Sequence, residues 1–472
     1  MDYKQKYFKY KQKYLTLLKD QKGGQPFLID ILAGLAFSYL FERNQRLLQL
    51  IYTGRQPVMV EPFGNFTLNY KYRLNLLGRS GLSILLATRL VQSDRRNNRL
   101  ELQLAKRIMS CTNKLLEISP PTLVATLDER NPEWHNNNVW SVAFHPSLPL
   151  LVTVSGDRTA KLWRLDNPDG SVVTLVANLE NDVGISSVAF HPILPLLATG
   201  SNNTKLWRLD NPTGSAATCV AILENDEHSV MSVAFHPSLP LLATGSRDHS
   251  LQLWRLDKSD GSEVTFLATL REHSNDVSSV AFHTSLPLIV TGSLDCTVKL
   301  WRLDPNSLVA TCVATLNEEN GGHSDQVMSV AFHPSLSLLA TGSEDCTMKL
   351  WRLDPDGSSA TCVVTLNEGN GGHINRVSSV AFHQTLPLFA TGSWDTTTKI
   401  WRLDKPDGSV ATCVATLNDR SVYSVAFHPT LPLLATCSDD SLNLWNLLDR
   451  SGRVQIAQVN NTLLRWTTRY YA

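Results

Sequence analysis

Short segments in which apolar and polar residues alternate occur in sets of four along much of the chain. One set reads VMSVAFH at 327–333, LLATGS at 338–343, TMKLWRLD at 347–354 and ATCVVTL at 360–366. The segments are rich in β-branched and aromatic residues, and Pro, Gly, Asp and Asn separate them. This pattern predicts four antiparallel strands joined by tight turns.

The pentapeptide Ser-Val-Ala-Phe-His marks each set and occurs seven times. The spacings between its histidines are 46, 45, 47, 50, 50 and 45 residues. Those histidines are His145, His191, His236, His283, His333, His383 and His428. Such a period is typical of propellers, in which four-stranded sheets bury their faces against one another. We predict an all-β, seven-bladed propeller over residues 120–448, preceded by a mainly α N-terminal region.

A tryptophan lies near the end of the third strand of every set. The seven are Trp163, Trp207, Trp254, Trp301, Trp351, Trp401 and Trp445. The motifs resemble the WD-repeat family, although Arg follows six of these tryptophans and Asn446 follows the last, where the family has Asp. The resemblance implies that an N-terminal strand closes the ring. We therefore favour TLVATL at 122–127 as the closing strand over its rival, VQIAQV at 454–459.

The resemblance also implies a hydrogen-bonded network of His, Ser or Thr, Asp and Trp inside each blade. Four blades have the full set: His135, Thr153, Asp157 and Trp163; His273, Thr291, Asp295 and Trp301; His323, Thr341, Asp345 and Trp351; His373, Thr391, Asp395 and Trp401. The repeat at 183–210 lacks the upstream His and the turn Asp, so we expect the weakest blade there. The last blade has Asp439 but no upstream His, and His228 of the third blade is displaced by two residues.

Charge divides the chain into a basic front and an acidic remainder. Residues 1–119 hold 20 Lys and Arg against 8 Asp and Glu, whereas the rest holds 23 against 35. Residues 1–24 predict a Lys/Tyr-rich amphipathic helix, which either packs on its own protein or binds an anionic surface. This leader resembles those of giant DNA virus proteins.

The residues that follow the leader predict a basic helical region at 25–119. Its apolar run at 27–41 contains Asp30 and is shorter than the roughly 20 residues that cross a bilayer, so we predict no transmembrane segment. Beyond the propeller, residues 449–472 form a C-terminal tail in this scheme.

The sequence offers little chemistry for catalysis. The Gly-x-Gly-x-x-Gly, phosphate-loop, His-Glu-x-x-His and Gly-x-Ser-x-Gly motifs do not occur. The seven repeated histidines cannot converge on one metal ion, whose ligands lie about 2 Å away, and we expect them to form surface turns. We therefore predict no enzyme, no cofactor and no metal.

Cysteine usage indicates a reducing compartment. Four of the eight cysteines, Cys219, Cys312, Cys362 and Cys413, hold the same place in separate blades. Such positions are too far apart for disulfides, and no secretory leader is present. We predict a cytoplasmic protein, in the host cytoplasm if the chain is viral, with the nucleus and the virion as open alternatives.

Positions that vary among the repeats are the candidates for binding. The residue before Ser-Val-Ala-Phe-His and the residue before the turn Asp face one end of the propeller, which in the WD-repeat family most often binds partners. The predicted partner-binding residues are Trp140, Met231, Arg247, Met328, Glu344, Trp394 and Tyr423. Trp394, Tyr423 and Trp140 belong to successive blades, and aromatic residues commonly anchor interfaces. Alternatively, Trp140 and Tyr423 tuck between blades.

These observations predict a non-catalytic scaffold, a monomeric propeller that binds a protein or peptide on one rim. One alternative is a substrate-receptor subunit resembling a ubiquitin-ligase adaptor. Another is that the basic residues 1–119 bind nucleic acid or an anionic membrane surface.

Overall fold

The computed structural model describes residues 121–211, 214–224, 229–304 and 308–447. These residues form 28 β-strands and two single-turn 3-10 helices, Glu318–Asn320 and Glu368–Asn370. The predicted leader at 1–24, the helical region at 25–119, the tail at 449–472, the segment at 454–459 and His228 lie outside the described residues.

The strands of the first four blades follow one another along the chain. Blade 1 contains β2 (Val139–Phe144), β3 (Leu150–Ser155), β4 (Thr159–Leu165) and β5 (Val173–Glu180). Blade 2 contains β6 (Ser187–Phe190), β7 (Leu196–Gly200), β8 (Thr204–Leu209) and β9 (Ala217–Leu223). Blade 3 contains β10 (Val230–Phe235), β11 (Leu241–Ser246), β12 (Leu251–Leu256) and β13 (Val264–Leu270). Blade 4 contains β14 (Val277–Phe282), β15 (Leu288–Ser293), β16 (Val298–Leu303) and β17 (Ala310–Leu316).

The remaining blades complete the ring. Blade 5 contains β18 (Val327–Phe332), β19 (Leu338–Ser343), β20 (Met348–Leu353) and β21 (Ala360–Leu366). Blade 6 contains β22 (Val377–Phe382), β23 (Leu388–Ser393), β24 (Thr397–Leu403) and β25 (Ala411–Asn418). Blade 7 contains β26 (Val422–Phe427), β27 (Leu433–Ser438), β28 (Leu442–Asn446) and β1 (Thr122–Leu127). The predicted seven-bladed propeller is confirmed.

Ring closure depends on β1, the first strand in the part of the chain that the structure describes. β1 pairs antiparallel with β28, so that Leu123 lies opposite Trp445 and Leu127 lies opposite Leu442. The prediction that residues 122–127 supply the closing strand is confirmed. Without β1, the last blade would expose the unpaired edge of β28.

The hydrophobic core lies between the blades. It consists of seven clusters, and each cluster combines buried residues of two neighbouring blades. In one cluster Val142 and Phe144 of blade 1 pack with Leu433 and Leu442 of blade 7. A single blade therefore buries its faces only when both neighbours are present.

The repeated pentapeptide forms much of this contact between blades. Its histidine ring packs against the phenylalanine of the next blade, with ring centroids 4.9 to 5.2 Å apart. The seven pairs are His145–Phe190, His191–Phe235, His236–Phe282, His283–Phe332, His333–Phe382, His383–Phe427 and His428–Phe144. The last pair joins blade 7 to blade 1.

The serine of the pentapeptide adds a polar contact at the same boundary. In six of the seven boundaries its hydroxyl oxygen accepts a hydrogen bond from the valine amide of the following blade. At the ring closure Val142 N–H donates to Ser424 Oγ at 3.3 Å. The motif thus combines an apolar contact with a directional one.

The prediction that these histidines lie in surface turns is wrong. His333 is only 5% exposed, and its Nδ1 accepts hydrogen bonds from the backbone N–H groups of Ser335 and Leu336. The other six histidines are buried in the same way. The turn does form, but the imidazole points inward because the next blade covers it.

In the part of the chain that the structure describes, no helix is long and apolar enough to cross a membrane.

Burial of the seven histidines predicts loss of stability in mild acid. Burial lowers the pKa of five of them to about 4 and that of His333 and His383 to about 3. An unfolded histidine titrates near about 6.5, so below that pH the unfolded chain binds more protons than the folded chain. Each such histidine then removes up to about 1.4 kcal/mol of unfolding free energy per pH unit.

We therefore expect the urea midpoint to fall steadily from about pH 6.5 to about pH 4. His333→Asn should make this slope shallower, since an amide oxygen can accept the same backbone bonds without titrating. A urea midpoint that stays constant over this pH range would contradict the assignment.

Candidate interaction site on the rim face

The rim face of the propeller is the end that carries the turns between the second and third strands and the connections between blades. In an antiparallel meander these loops lie on one side, and the other two sets of turns lie on the opposite face. Backbone bonds tie the two kinds of rim loop together: Gly156 N–H donates to Asn138 O, and Trp394 N–H donates to Arg376 O. The variable positions therefore sit on a braced surface.

Four polar networks support this face from below. In each of them the His Nδ1 lies 2.7 to 2.9 Å from an Asp oxygen, the His Nε2 lies 2.7 to 2.8 Å from the Thr hydroxyl, and the Trp indole N–H donates to that hydroxyl at 2.9 to 3.0 Å. The structure brings together all 16 residues that the sequence analysis placed in these networks, four in each of blades 1, 4, 5 and 6.

The hydrogen positions follow from the chemistry of the groups. An ionised Asp only accepts, so the His Nδ1 carries the hydrogen, and the neutral Nε2 accepts from the Thr hydroxyl. Burial alone would raise the pKa of Asp345, but hydrogen bonds from His323 and Thr347 outweigh burial and lower that pKa to about 2. Every member of the network thus has a partner, which is what makes a buried carboxylate tolerable.

Blade 7 builds its network from different residues. Asp419 takes the place of the histidine: it accepts hydrogen bonds from the Thr436 hydroxyl and, at 2.8 Å, from the Asn443 amide. The closing strand joins in, because Thr126 Oγ1 donates to Asn443 Oδ1 at 2.7 Å. Burial raises the pKa of Asp419, and these hydrogen bonds only partly offset it.

An acidic cleft of about 280 Å³ lies beside this network at the ring closure. It is lined by Asp128, Glu129, Asp419 and Asp440, together with Arg420. Arg420 forms an ion pair with Asp440. The cleft therefore lies where the chain leaves β1 for blade 1, beside the connection from blade 6 to blade 7.

Among the described residues, blades 2 and 3 lack the complete set of His, Thr, Asp and Trp and use other contacts. In blade 2 the first strand is four residues long, and Trp207 Nε1 still donates to Thr199 at 3.0 Å. In blade 3 the turn Asp248 pairs with Arg271 at 2.9 Å. That blade 2 is the least stable blade stays a prediction.

The largest cluster of predicted partner-binding residues lies on blades 5, 6 and 7. We call Glu344, Arg376, Trp394 and Tyr423 the Trp394 cluster. The Arg376 guanidinium carbon lies 3.1 Å from the centroid of the Trp394 ring and Arg376 forms an ion pair with Glu344. The Tyr423 ring meets the Trp394 ring edge to face, with centroids 5.3 Å apart. The Trp394 side chain is consequently half-buried.

Electrostatics at the edge of this cluster keep Tyr423 neutral. Burial, followed by a hydrogen bond with Asp439, raises the pKa of Tyr423 to about 12. The Asn138 amide donates to the Tyr423 hydroxyl at 3.5 Å, across the ring closure. The phenol is thus a fixed hydrogen-bonding group at physiological pH.

The other predicted partner-binding residues lie in separate places on the rim. Arg247 is exposed and its Nε contacts the Met231 sulfur at 3.3 Å. The Trp140 ring packs against Gly156 and Gly184, where an added Cβ would lie only 3.2 Å from the ring. Trp140 is nevertheless 37% exposed. Met328 is partly buried at the start of β18.

Two residues of this region were missed from the sequence. Arg376 belongs to no repeated motif, and only its ring contact with Trp394 reveals it. Trp134 is 3% exposed, donates from Nε1 to Asp440 O at 2.8 Å, and packs against Trp163. The sequence feature that could have identified Trp134 is its position directly before His135, close to the closing strand.

The rim carries aromatic and charged side chains and, among the described residues, no cluster of metal ligands. In residues 121–447, apart from three short undescribed gaps, no three His, Cys, Asp or Glu side chains converge as metal ligands. Rings, a guanidinium and carboxylates are presented by rigid turns, and the aromatic and arginine side chains among them are typical anchors of protein interfaces.

A family model described as "WD domain, G-beta repeat" matches six parts of the chain, which together make up just over half of it. The matched residues are 124–164, 217–255, 264–302, 310–352, 360–402 and 411–446.

Two curated fungal proteins are similar over a much shorter stretch. Both are called "Probable cytosolic iron-sulfur protein assembly protein 1", one from Candida albicans at 45% identity and one from Candida dubliniensis at 43% identity, each over 47 residues. The matched stretch is 10% of this chain and 12% of either fungal protein. The chain thus covers about an eighth of the length of these relatives.

The network in blade 5 gives a prediction about stability. His323→Ala removes the hydrogen bonds of the imidazole to Asp345 and to Thr341 inside the blade, so we expect a loss of roughly 1–3 kcal/mol in the free energy of unfolding. Glu319→Ala, at an exposed position of the preceding 3-10 helix, is the control and should change it by less than about 0.5 kcal/mol. Equal unfolding midpoints of the two variants in urea would refute a structural role for the network.

Proposed function

Because the chain belongs to the WD domain, G-beta repeat family, we propose that it is a non-catalytic scaffold that binds a protein or peptide on its rim face, through the Trp394 cluster. The supporting observation is that two aromatic rings, an arginine and a carboxylate from three successive blades meet at one place. A partner lying across this place would contact several blades at once.

The surroundings of the cluster favour such binding. Ile374 is 68% exposed, and its backbone N–H donates to Asp395, the residue after Trp394. An exposed aliphatic side chain beside half-buried rings supplies apolar area that a partner can cover. The network of His373 and Asp395 below holds the turn, so little ordering cost is left for binding.

The finer predictions stand as proposals beside this one. A substrate-receptor role and binding of nucleic acid or an anionic membrane surface both depend on residues 1–119, which lie outside the described residues. The cytoplasmic location and the viral origin of the leader rest on sequence alone. The matches to the Candida proteins span about one repeat, so we propose no iron–sulfur assembly role from them.

The proposal is tested by Trp394→Ala in the full chain. The variant lacks the ring contact with Tyr423 and the stacking of the Arg376 guanidinium. We therefore expect its free energy of unfolding to fall by about 1–3 kcal/mol with the fold retained. Capture of partners, measured by affinity purification with quantitative mass spectrometry, should drop by about tenfold or more for specific proteins.

Ile193→Ala is the matched control, because Ile193 is 74% exposed in the turn between β6 and β7, on the opposite face. It should leave both stability and capture unchanged. If Trp394→Ala keeps every protein that the unmodified chain captures, or if Ile193→Ala loses the same ones, the rim assignment fails.

A further inference from the structure

The Trp394 cluster already holds a cation, and that cation belongs to the chain itself. Arg376 rests on the face of Trp394 at 3.1 Å and forms an ion pair with Glu344 of the neighbouring blade. A guanidinium between an indole face and a carboxylate has the two partners that this group prefers. The position of Arg376 therefore shows that the Trp394 cluster can bind a guanidinium group.

Arg376 balances a site that would otherwise be acidic. Glu344 and Asp439 both face the cluster, the first through the ion pair and the second through Tyr423. Arg420, in the connection between blades 6 and 7, is paired with Asp440. Without the Arg376 side chain, the site would consist of two rings and two carboxylates, with a local charge that attracts a cation.

The way Arg376 is held is compatible with its displacement. Its side chain is 26% exposed, and the structure gives it one ion pair and one ring contact. Its backbone is fixed independently, since the Arg376 carbonyl accepts from Trp394 N–H and the Arg376 N–H donates to Asn375 Oδ1. The side chain can therefore leave while the loop keeps its shape.

We propose that the Trp394 cluster is a binding site for an arginine side chain of the partner protein, and that Arg376 is an internal occupant which this side chain displaces. The inference rests on the proposed function and names the chemistry of its partner. The partner's guanidinium would stack on Trp394 and pair with Glu344, and the Tyr423 ring would form one side of the binding site. Charge complementarity favours such a partner, because residues 120–472 hold 35 acidic against 23 basic residues.

The test uses the full chain, its Arg376→Ala variant and a small probe. The probe is N-acetyl-arginine methylamide, and N-acetyl-citrulline methylamide is the uncharged control of the same shape. Ligand-observed NMR titration suits the weak affinity of a single side chain. Arg352→Ala, which removes an exposed arginine near the end of β20 on the opposite face, is the matched protein control.

We expect Arg376→Ala to bind the arginine probe about tenfold more tightly than the unmodified chain or Arg352→Ala does. It should also prefer the arginine probe to the citrulline probe by a similar factor. Adding Glu344→Gln or Trp394→Ala to Arg376→Ala should abolish the gain. If Arg376→Ala fails to fold by circular dichroism, Arg376→Gln keeps the apolar stem and removes the charge, so the titration is repeated with that variant.

Equal binding of the arginine probe to Arg376→Ala and to the unmodified chain would overturn the inference, and so would equal binding of the two probes. In that case the role of Arg376 is structural, and its contacts with Glu344 and Trp394 hold blades 5 and 6 together. If Trp394→Ala still loses captured proteins, the scaffold proposal survives that result. Conversely, if Arg376→Ala binds the arginine probe specifically but Trp394→Ala captures the same proteins as the unmodified chain, the arginine site stands and the proposal of a protein-binding scaffold at this rim fails.

Discussion

Contact between neighbouring blades is the constraint on which this molecule depends. Each apolar cluster is shared by two blades, so no blade has a core of its own. The repeated Ser-Val-Ala-Phe-His motif places a histidine against the next blade's phenylalanine at all seven boundaries, including the closing pair His428–Phe144. Because the last boundary exists only in a closed ring, β1 stabilises every blade indirectly by completing blade 7.

The polar networks hold the rim loops in place. His373, Thr391 and Trp401 are satisfied below the rim, and Asp395 ties the turn that carries Trp394 to the connection that carries Ile374. Residues on that turn can then vary without loss of the loop shape. Blade 7 departs from the pattern where the chain enters it: Asp419 replaces the histidine, and the network extends to Thr126 of the closing strand.

The period of the sequence predicted the number of blades and their strands, because these features repeat. The closing strand and the four networks followed from the resemblance to the WD-repeat family. The period could not predict that His333 is buried, since burial depends on the next blade and not on the turn itself. It also missed the Arg376–Trp394 stack, which occurs once and joins two loops. The three aromatic residues grouped from sequence divide accordingly: Trp394 and Tyr423 are in contact, whereas Trp140 packs beside Gly156 and Gly184.

Native-state hydrogen exchange of the closing strand tests the account most directly. If β1 is an integral strand of blade 7, the hydrogen-bonded amides of Thr122–Leu127 exchange as slowly as those of β21, an outer strand in the same position of blade 5. Both sets should then open only with global unfolding, and their exchange should accelerate together as urea is added. Exchange of the Thr122–Leu127 amides at the rate of an unstructured peptide, while β21 stays protected, would show that the ring does not depend on this strand.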